Sequence, residues 1–394
     1  MAEKNLDFDT VIDRTHTNSL KYDFAVQRGK PKDVLPLWVA DMDFQVSSYI
    51  QEALSGSVAH GIFGYSEADG SYFEAVAGWM SRHYGWNVEE TWLVKTPGIV
   101  FALAQAVRAF TEPGDAVLQQ RPVYYPFSQV IRDNGRKIVD NTLVQGEDGR
   151  YRIDFTDFEE KIRSCKVKLF FLCNPHNPVG RVWTKEELLR LGDICEKYGV
   201  IVVSDEIHAD FVFEGSHQVL AGLKESYRKF VVTCTAPSKT FNLAGLQVSN
   251  IFIPDDALRR KFEQAVGASG YSQLNTMGLV ACETAYRHGE EWYEAVKAYI
   301  RENLTYAQLE EQIPQVKAVE PEGTYLLWVD FRSLGLSGRE LEDLIVKKAG
   351  LWLDSGDIFG VAGRGFERIN VACPRSVLTE ALERLARAVR ECVK

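Results

Sequence analysis

The 394-residue chain is 45% hydrophobic and 25% charged, ordinary globular proportions that leave room for two or three domains and a large buried core. Its net charge of -10 argues against nucleic acid or an anionic membrane as the main partner, and no apolar stretch is long enough to span a bilayer. Seven scattered cysteines without a C-x-x-C pair fit neither a disulfide framework nor a metal site, and with no apolar signal core in residues 1–10 the chain is expected in a reducing cytoplasm.

Residues 1–45 are mixed and loop-rich, with Pro31 and Pro36, and read as an arm with an entry loop in which Trp38 and Phe44 are core anchors. A glycine-flanked aromatic loop at 61–66, holding Tyr65, precedes a helical pattern from Ser71. The segment 96–103 leads through Gly98 into a helix whose apolar spacing continues to Phe110. A glycine turn at a helix N-terminus offers free N–H groups and the positive end of the helix dipole, so Gly98, Ile99 and Val100 are candidates to hold an anion through backbone. A strand at 116–120 leads to the adjacent tyrosines Tyr124 and Tyr125.

Between 151 and 255 the pattern alternates: helix 155–164, strand 167–173, helix 184–198, then strands 200–205, 230–234 and 248–253. Thr184 and Glu187 have the spacing of a capping box. Apolar strands separated by amphipathic helices predict an α/β fold, with a mostly parallel sheet between two helical layers. Residues 256–313 read as largely helical, and 290–304 is long enough to bridge two domains. Strand-like 324–330, a helix at 338–348, strand-like 366–373 and a terminal amphipathic helix at 376–393 predict a smaller α/β domain. The expected division is an arm at 1–45, a large domain at 46–288 and a small domain at 289–394.

Three strand ends carry chemistry. Lys239 follows the 230–234 run in a turn of small residues, where a partly desolvated amine with a lowered pKa can form a Schiff base; the candidate carbonyl is the aldehyde of pyridoxal phosphate. Asp205 closes the run 200–205, where a parallel strand delivers a side chain into the crevice at the sheet edge. A carboxylate there can pair with a protonated pyridine nitrogen and keep the ring an electron sink. Asn177, beyond the run 167–173, offers an amide donor to a ring oxygen. Arg368, among apolar neighbours, needs an anionic partner: either a structural ion pair or a carboxylate held by its fork.

Through the segments 35–44, 174–180, 200–208, 235–247 and 366–375 the chain resembles, over essentially its whole length, the fold-type-I pyridoxal-phosphate enzymes of the class I/II aminotransferase group. Within that group it is most similar to the carbon–sulfur lyase branch, the cystathionine β-lyase or MalY/PatB type. The resemblance implies an aspartate-aminotransferase-like fold, pyridoxal 5'-phosphate as cofactor, an amino-acid substrate, and a homodimer in which Tyr65 reaches the cofactor phosphate and substrate of the other subunit. It further implies that Tyr124 stacks on the pyridine ring, Tyr125 borders the substrate, Val39 and Ala40 lie near the substrate carboxylate, and Arg368 grips that carboxylate.

Three positions depart from the aminotransferase pattern: His208 in place of Tyr, Gln247 in place of the phosphate-binding Arg or Lys, and Ala236 in place of Ser. The phosphate then rests on Gly98–Val100, Ser238 and the partner's Tyr65. His208 could donate to the ring hydroxyl or act as an acid; bracing Asp205 through a hydrogen bond is the plainer reading. The implied activity is β-elimination of L-cystathionine or other L-cysteine S-conjugates to pyruvate, ammonia and a thiol, in methionine and cysteine metabolism. Lys239 would move the proton, and Lys239 or Tyr125 would protonate the thiolate. The alternatives are an aminotransferase and a regulatory pyridoxal-phosphate-binding protein with secondary lyase activity.

Overall fold

In the computed structural model, residues 3–307 and 313–392 are described. Seven strands, β1 Leu93–Thr96, β2 Ala116–Gln119, β3 Lys137–Asp140, β4 Leu169–Cys173, β5 Ile201–Asp205, β6 Val231–Thr235 and β7 Ser249–Phe252, form a sheet of order β1-β7-β6-β5-β4-β2-β3. Strands β6, β5, β4, β2 and β3 pair in parallel. Only β7 runs against its neighbours, antiparallel to both β1 and β6, so the other six strands end at one edge.

Strand β4 is apolar throughout because both of its faces are covered. In β4, Leu169, Phe171 and Cys173 join one core while Phe170 and Leu172 join the other, as a period of two requires. Helices Ile99–Phe110, Pro126–Asp133 and Asp256–Ala268 bury their apolar stripes on the first face; Gly70–Tyr84, Phe155–Cys165 and Lys185–Tyr198 bury theirs on the second. The expected capping box forms at Thr184 and Glu187, and the helix it opens ends at Gly199, whose φ of 64 suits glycine.

The helical tract expected at 256–313 is three helices, Asp256–Ala268, Thr276–His288 and Glu290–Tyr306; residues 308–312 lie outside the described ones. The helix expected at 338–348 is α-helical over Gly338–Glu342 and π-helical over Asp343–Lys348. A second, antiparallel sheet contains β8 Lys317–Val319, β9 Leu326–Asp330, β10 Asp354–Ser355 and β11 Phe366–Asn370, in the order β8-β9-β11-β10. The terminal helix spans Arg375–Cys392, with residue 393 outside the described residues.

The N-terminal arm is tied to this second region. Leu35–Pro36 pairs in parallel with Leu351–Trp352, and Trp38 stacks on Trp352 at 4.4 Å between ring centroids. Further along the arm, Lys21 is fully buried, with its Nζ 2.7 Å from Asp43 and 3.6 Å from Asp41, and Arg14 bridges the same two carboxylates. This cluster pins the segment between Ala40 and Asp43, which borders the site.

Candidate active site

At the edge where the parallel strands end, successive loops converge on a cavity of about 400 Å³. Gly98 follows β1, Tyr124 and Tyr125 follow β2, Asn177 follows β4, Asp205 ends β5, and Lys239 rides on the short helix Pro237–Thr240 after β6. Val39 and Ala40 enter from the arm, and Arg368 enters from β11. These residues line the cavity together with Ile99, Val100, His208 and Ser238, so every sequence-predicted site residue except Tyr65 meets there. Tyr65 is 98% exposed and borders a separate depression formed with residues 272–277.

The Lys239 amine is lowered to about 8, by burial first, with nearby Arg368 lowering it further and Asp41 and Asp205 opposing. Its Nζ donates to the Ala40 carbonyl at 2.6 Å, and the same carbonyl accepts from the Tyr325 hydroxyl at 3.0 Å. Across the cavity, burial pushes the Asp205 carboxyl up to about 7, against the Ile207 N–H that its Oδ1 accepts at 3.2 Å and against the Lys239 charge. A buried carboxylate with so little compensation gains from a cationic nitrogen placed against it.

The bracing hydrogen bond expected from His208 to Asp205 is not formed. His208 Nδ1 has no partner among the described residues, and its ring packs edge-on to Tyr325 at 5.9 Å. Burial, followed by the charges of Lys239 and Arg368, holds this imidazole well below its usual range, so it is neutral. His208 lines the cavity instead.

Arg368 is 3% exposed and forms the ion pair with Asp354. It also donates to Asn177 Oδ1 at 3.0 Å and to the Trp38 carbonyl at 2.9 Å, while its Nε has no partner among the described residues. Because a guanidinium can only donate, Asn177 must turn Oδ1 toward it, which leaves the amide Nδ2 as the group able to donate elsewhere. The Tyr124 backbone N–H is held by the Asn177 carbonyl at 3.1 Å, and burial raises both tyrosine phenols, that of Tyr125 with help from Asp354, so both stay protonated.

Gly98 is the N-cap of helix Ile99–Phe110, with φ of 151. Beyond its chain neighbours, a Cβ there would meet no atom of the described residues within 4 Å, so backbone conformation rather than space demands glycine. The first N–H groups of this helix have no intrahelical acceptor, and Ile99, Val100 and Phe101 line the cavity, so those donors are available to an anion there. Gln247 lines the cavity where a cation was missing from the sequence pattern.

The residues fit pyridoxal phosphate: an amine of lowered pKa for the aldehyde, an undercompensated buried carboxylate for the ring nitrogen, the free Asn177 amide and orphaned His208 Nδ1 for ring substituents, and a helix N-terminus for the phosphate. Sequence reasoning missed Asp354, which faces Arg368 only through the β10–β11 register, and Tyr325, which meets Ala40 across 285 positions. It also missed Leu20 and Phe101 in the lining, and neither carries a sequence signal of its own.

Comparison with known proteins points to pyridoxal-phosphate proteins as well. The profile for aminotransferase class I and II matches residues 32–385. Cystathionine beta-lyase PatB of Bacillus subtilis strain 168 is 44% identical over 387 residues, covering 98% of this chain and 100% of that protein. Among solved structures, a pyridoxal-phosphate-bound putative aminotransferase from Clostridium difficile 630 superposes with a TM-score of 0.95 at 41% identity, covering 97% of this chain and 99% of that one. Cystalysin from Treponema denticola, which contains a pyridoxal 5'-phosphate cofactor, superposes at 0.94 and 38% identity, covering 98% and 99%. With the sheet order, the cavity at its edge and these full-length matches in agreement, the chain belongs to the family of class I and II aminotransferases.

Proposed function

We propose that the protein is a pyridoxal-phosphate-dependent carbon–sulfur lyase that cleaves L-cystathionine or related L-cysteine S-conjugates to pyruvate, ammonia and a thiol. The observation that carries the reading is the meeting of Lys239, Asp205 and Arg368 in one cavity of a chain similar along its whole length to a cystathionine beta-lyase.

When bound, pyridoxal phosphate supplies an aldehyde for the substrate amine and a pyridinium ring that accepts the electrons released at Cα. Asp205 would hold that ring nitrogen protonated, Asn177 Nδ2 would donate to a ring oxygen, Tyr124 would pack against the ring, and the Gly98–Val100 helix start with Ser238 would hold the phosphate. Arg368 takes the substrate α-carboxylate in its fork, sharing it with Asp354, and Val39 and Ala40 border that end. Lys239 Nζ removes the Cα proton, which a lowered amine pKa favours near neutrality. The Cβ–S bond then breaks with its electron pair leaving on sulfur, and Lys239 Nζ or the Tyr125 hydroxyl protonates the thiolate. The 2-aminoacrylate released from the site takes up water to give pyruvate and ammonia.

The same proposal includes a homodimer in which each Tyr65 completes the other subunit's site. Its exposure, beside Ile62 at 70% and Phe63 at 62%, supports a covering surface. It also includes a cytoplasmic location, and a division into an arm at 1–45, a cofactor-binding domain at 46–288 holding the seven-stranded sheet, and a small domain at 289–394 holding the second sheet.

Purified holoenzyme given L-cystathionine without an oxo acid should form pyruvate, ammonia and homocysteine in equal amounts, and Lys239→Ala should abolish all three. Turnover only when an oxo acid is added would replace the lyase by an aminotransferase.

A further inference from the structure

The cavity holding Lys239 continues on its arm side. Leu20, Val39, Ala40, Lys239 and Ala244 line both this cavity and a second one of about 600 Å³. The lysine therefore stands in the shared wall. With its carboxylate at Arg368 and its Cα toward Lys239, a substrate could extend its chain beyond sulfur past this shared wall into the second cavity.

The second lining changes character with distance from that wall. Met42 and Phe44 are apolar, while Arg14 and Asp41 stand with side chains 23% and 20% exposed. Those two are already paired, Arg14 donating to both Asp41 oxygens at 3.3 and 2.7 Å. An apolar substituent would cover these charges without replacing their hydrogen bonds to water, whereas one ending in an amino group and a carboxylate would supply a partner to each. Resting on the lyase reading, we propose that the second cavity is the subsite for the S-substituent of the substrate, shaped for a short methylene chain that ends in an amino-acid zwitterion, with its carboxylate toward Arg14 and its ammonium toward Asp41.

Gly245 borders the second cavity but not the first, and beyond its chain neighbours a Cβ placed on it meets no atom of the described residues within 4 Å. Gly245→Leu should therefore fill the subsite. In the holoenzyme, kcat/KM for S-methyl-L-cysteine should stay within about 2-fold of the parent, while that for L-cystathionine should fall about 10-fold or more, mostly through KM. Unchanged cofactor absorbance and Tm would show that the lysine site is intact. In the parent, S-pentyl-L-cysteine, with a chain of similar length, should be cleaved about 10-fold less efficiently than L-cystathionine. Equal losses on both substrates in Gly245→Leu, or no loss on either, would overturn the subsite. Equal efficiency for S-pentyl-L-cysteine would overturn its zwitterion specificity. Parent enzyme that eliminates thiol from no conjugate would instead sink the lyase reading itself, and the subsite with it.

Discussion

Replacing Asp205 with Asn separates what the site costs from what it does. Burial raises this carboxyl from 3.8 to about 7, a shift of roughly 3 units, or roughly 4 kcal/mol. Because the folded-state pKa is the higher one, the folded chain keeps a proton that the unfolded chain loses between pH 3.8 and about 7. Stability is lost as pH rises through that window, and the full penalty stands above it. Asn preserves the shape and still accepts the Ile207 N–H, but carries no charge. Cofactor-free Asp205→Asn should match the parent near pH 4 and exceed it at pH 8 by up to roughly 4 kcal/mol. At ~2.1 cal/mol/K per residue, the chain's unfolding entropy is roughly 0.8 kcal/mol/K, so the gain amounts to roughly 5 °C in Tm. Thermal unfolding followed by circular dichroism across this pH range measures it directly. The holoenzyme should show the opposite effect, losing about 10²–10³-fold in kcat/KM, because an amide cannot pair with the ring nitrogen as a carboxylate does. A cofactor-free variant no more stable than the parent at pH 8, or with the same slope between pH 4 and 7, would refute the assignment of the buried charge to Asp205.

Lys239 should behave in the mirror sense: its folded-state pKa is the lower one, so stability rises as pH rises from about 8 to 10.5. Lys239→Met in the cofactor-free protein should therefore be stabilising below pH 8, with the gain vanishing toward pH 10.5, as read by the same unfolding experiment. Arg368→Lys keeps the charge but loses the fork that meets Asn177, Trp38 and Asp354, and should lower kcat/KM by about 10–100-fold, chiefly through KM, in steady-state assays. Tyr325→Phe keeps the ring packed on Phe211 but removes the hydroxyl on the Ala40 carbonyl; kcat should fall about 5-fold with KM unchanged. If Tyr65 serves the opposite subunit, Tyr65→Ala and Lys239→Ala proteins, each inactive alone, should recover activity when unfolded together and refolded as mixed dimers; no recovery would place Tyr65 outside the site.

Asp205, Asn177 and Lys239 were legible in the sequence because each lies at or just past the end of an apolar run. Parallel strands covered on both faces are mostly apolar, and they end at a common edge. The Thr184–Glu187 cap was legible for the same kind of reason, since its partners are three residues apart. The reversed direction of β7 was not, because a buried strand reads the same whichever way it runs. Two-residue pairings such as Leu35–Pro36 with Leu351–Trp352 are too short to leave a period.

By itself, then, the sequence determined the alternation of elements, the edge at which the site lies, and most of the side chains that line it. Only the tertiary structure decided their electrostatic states and partners: Arg368 in the structural ion pair with Asp354, His208 with its Nδ1 unpartnered among the described residues rather than bracing Asp205, and the Lys239 amine resting on a carbonyl that Tyr325 also holds. The division has a physical cause. Strand and helix periods arise from neighbours a few residues apart, whereas the desolvation that raises Asp205 and lowers Lys239 exists only once distant segments close over them.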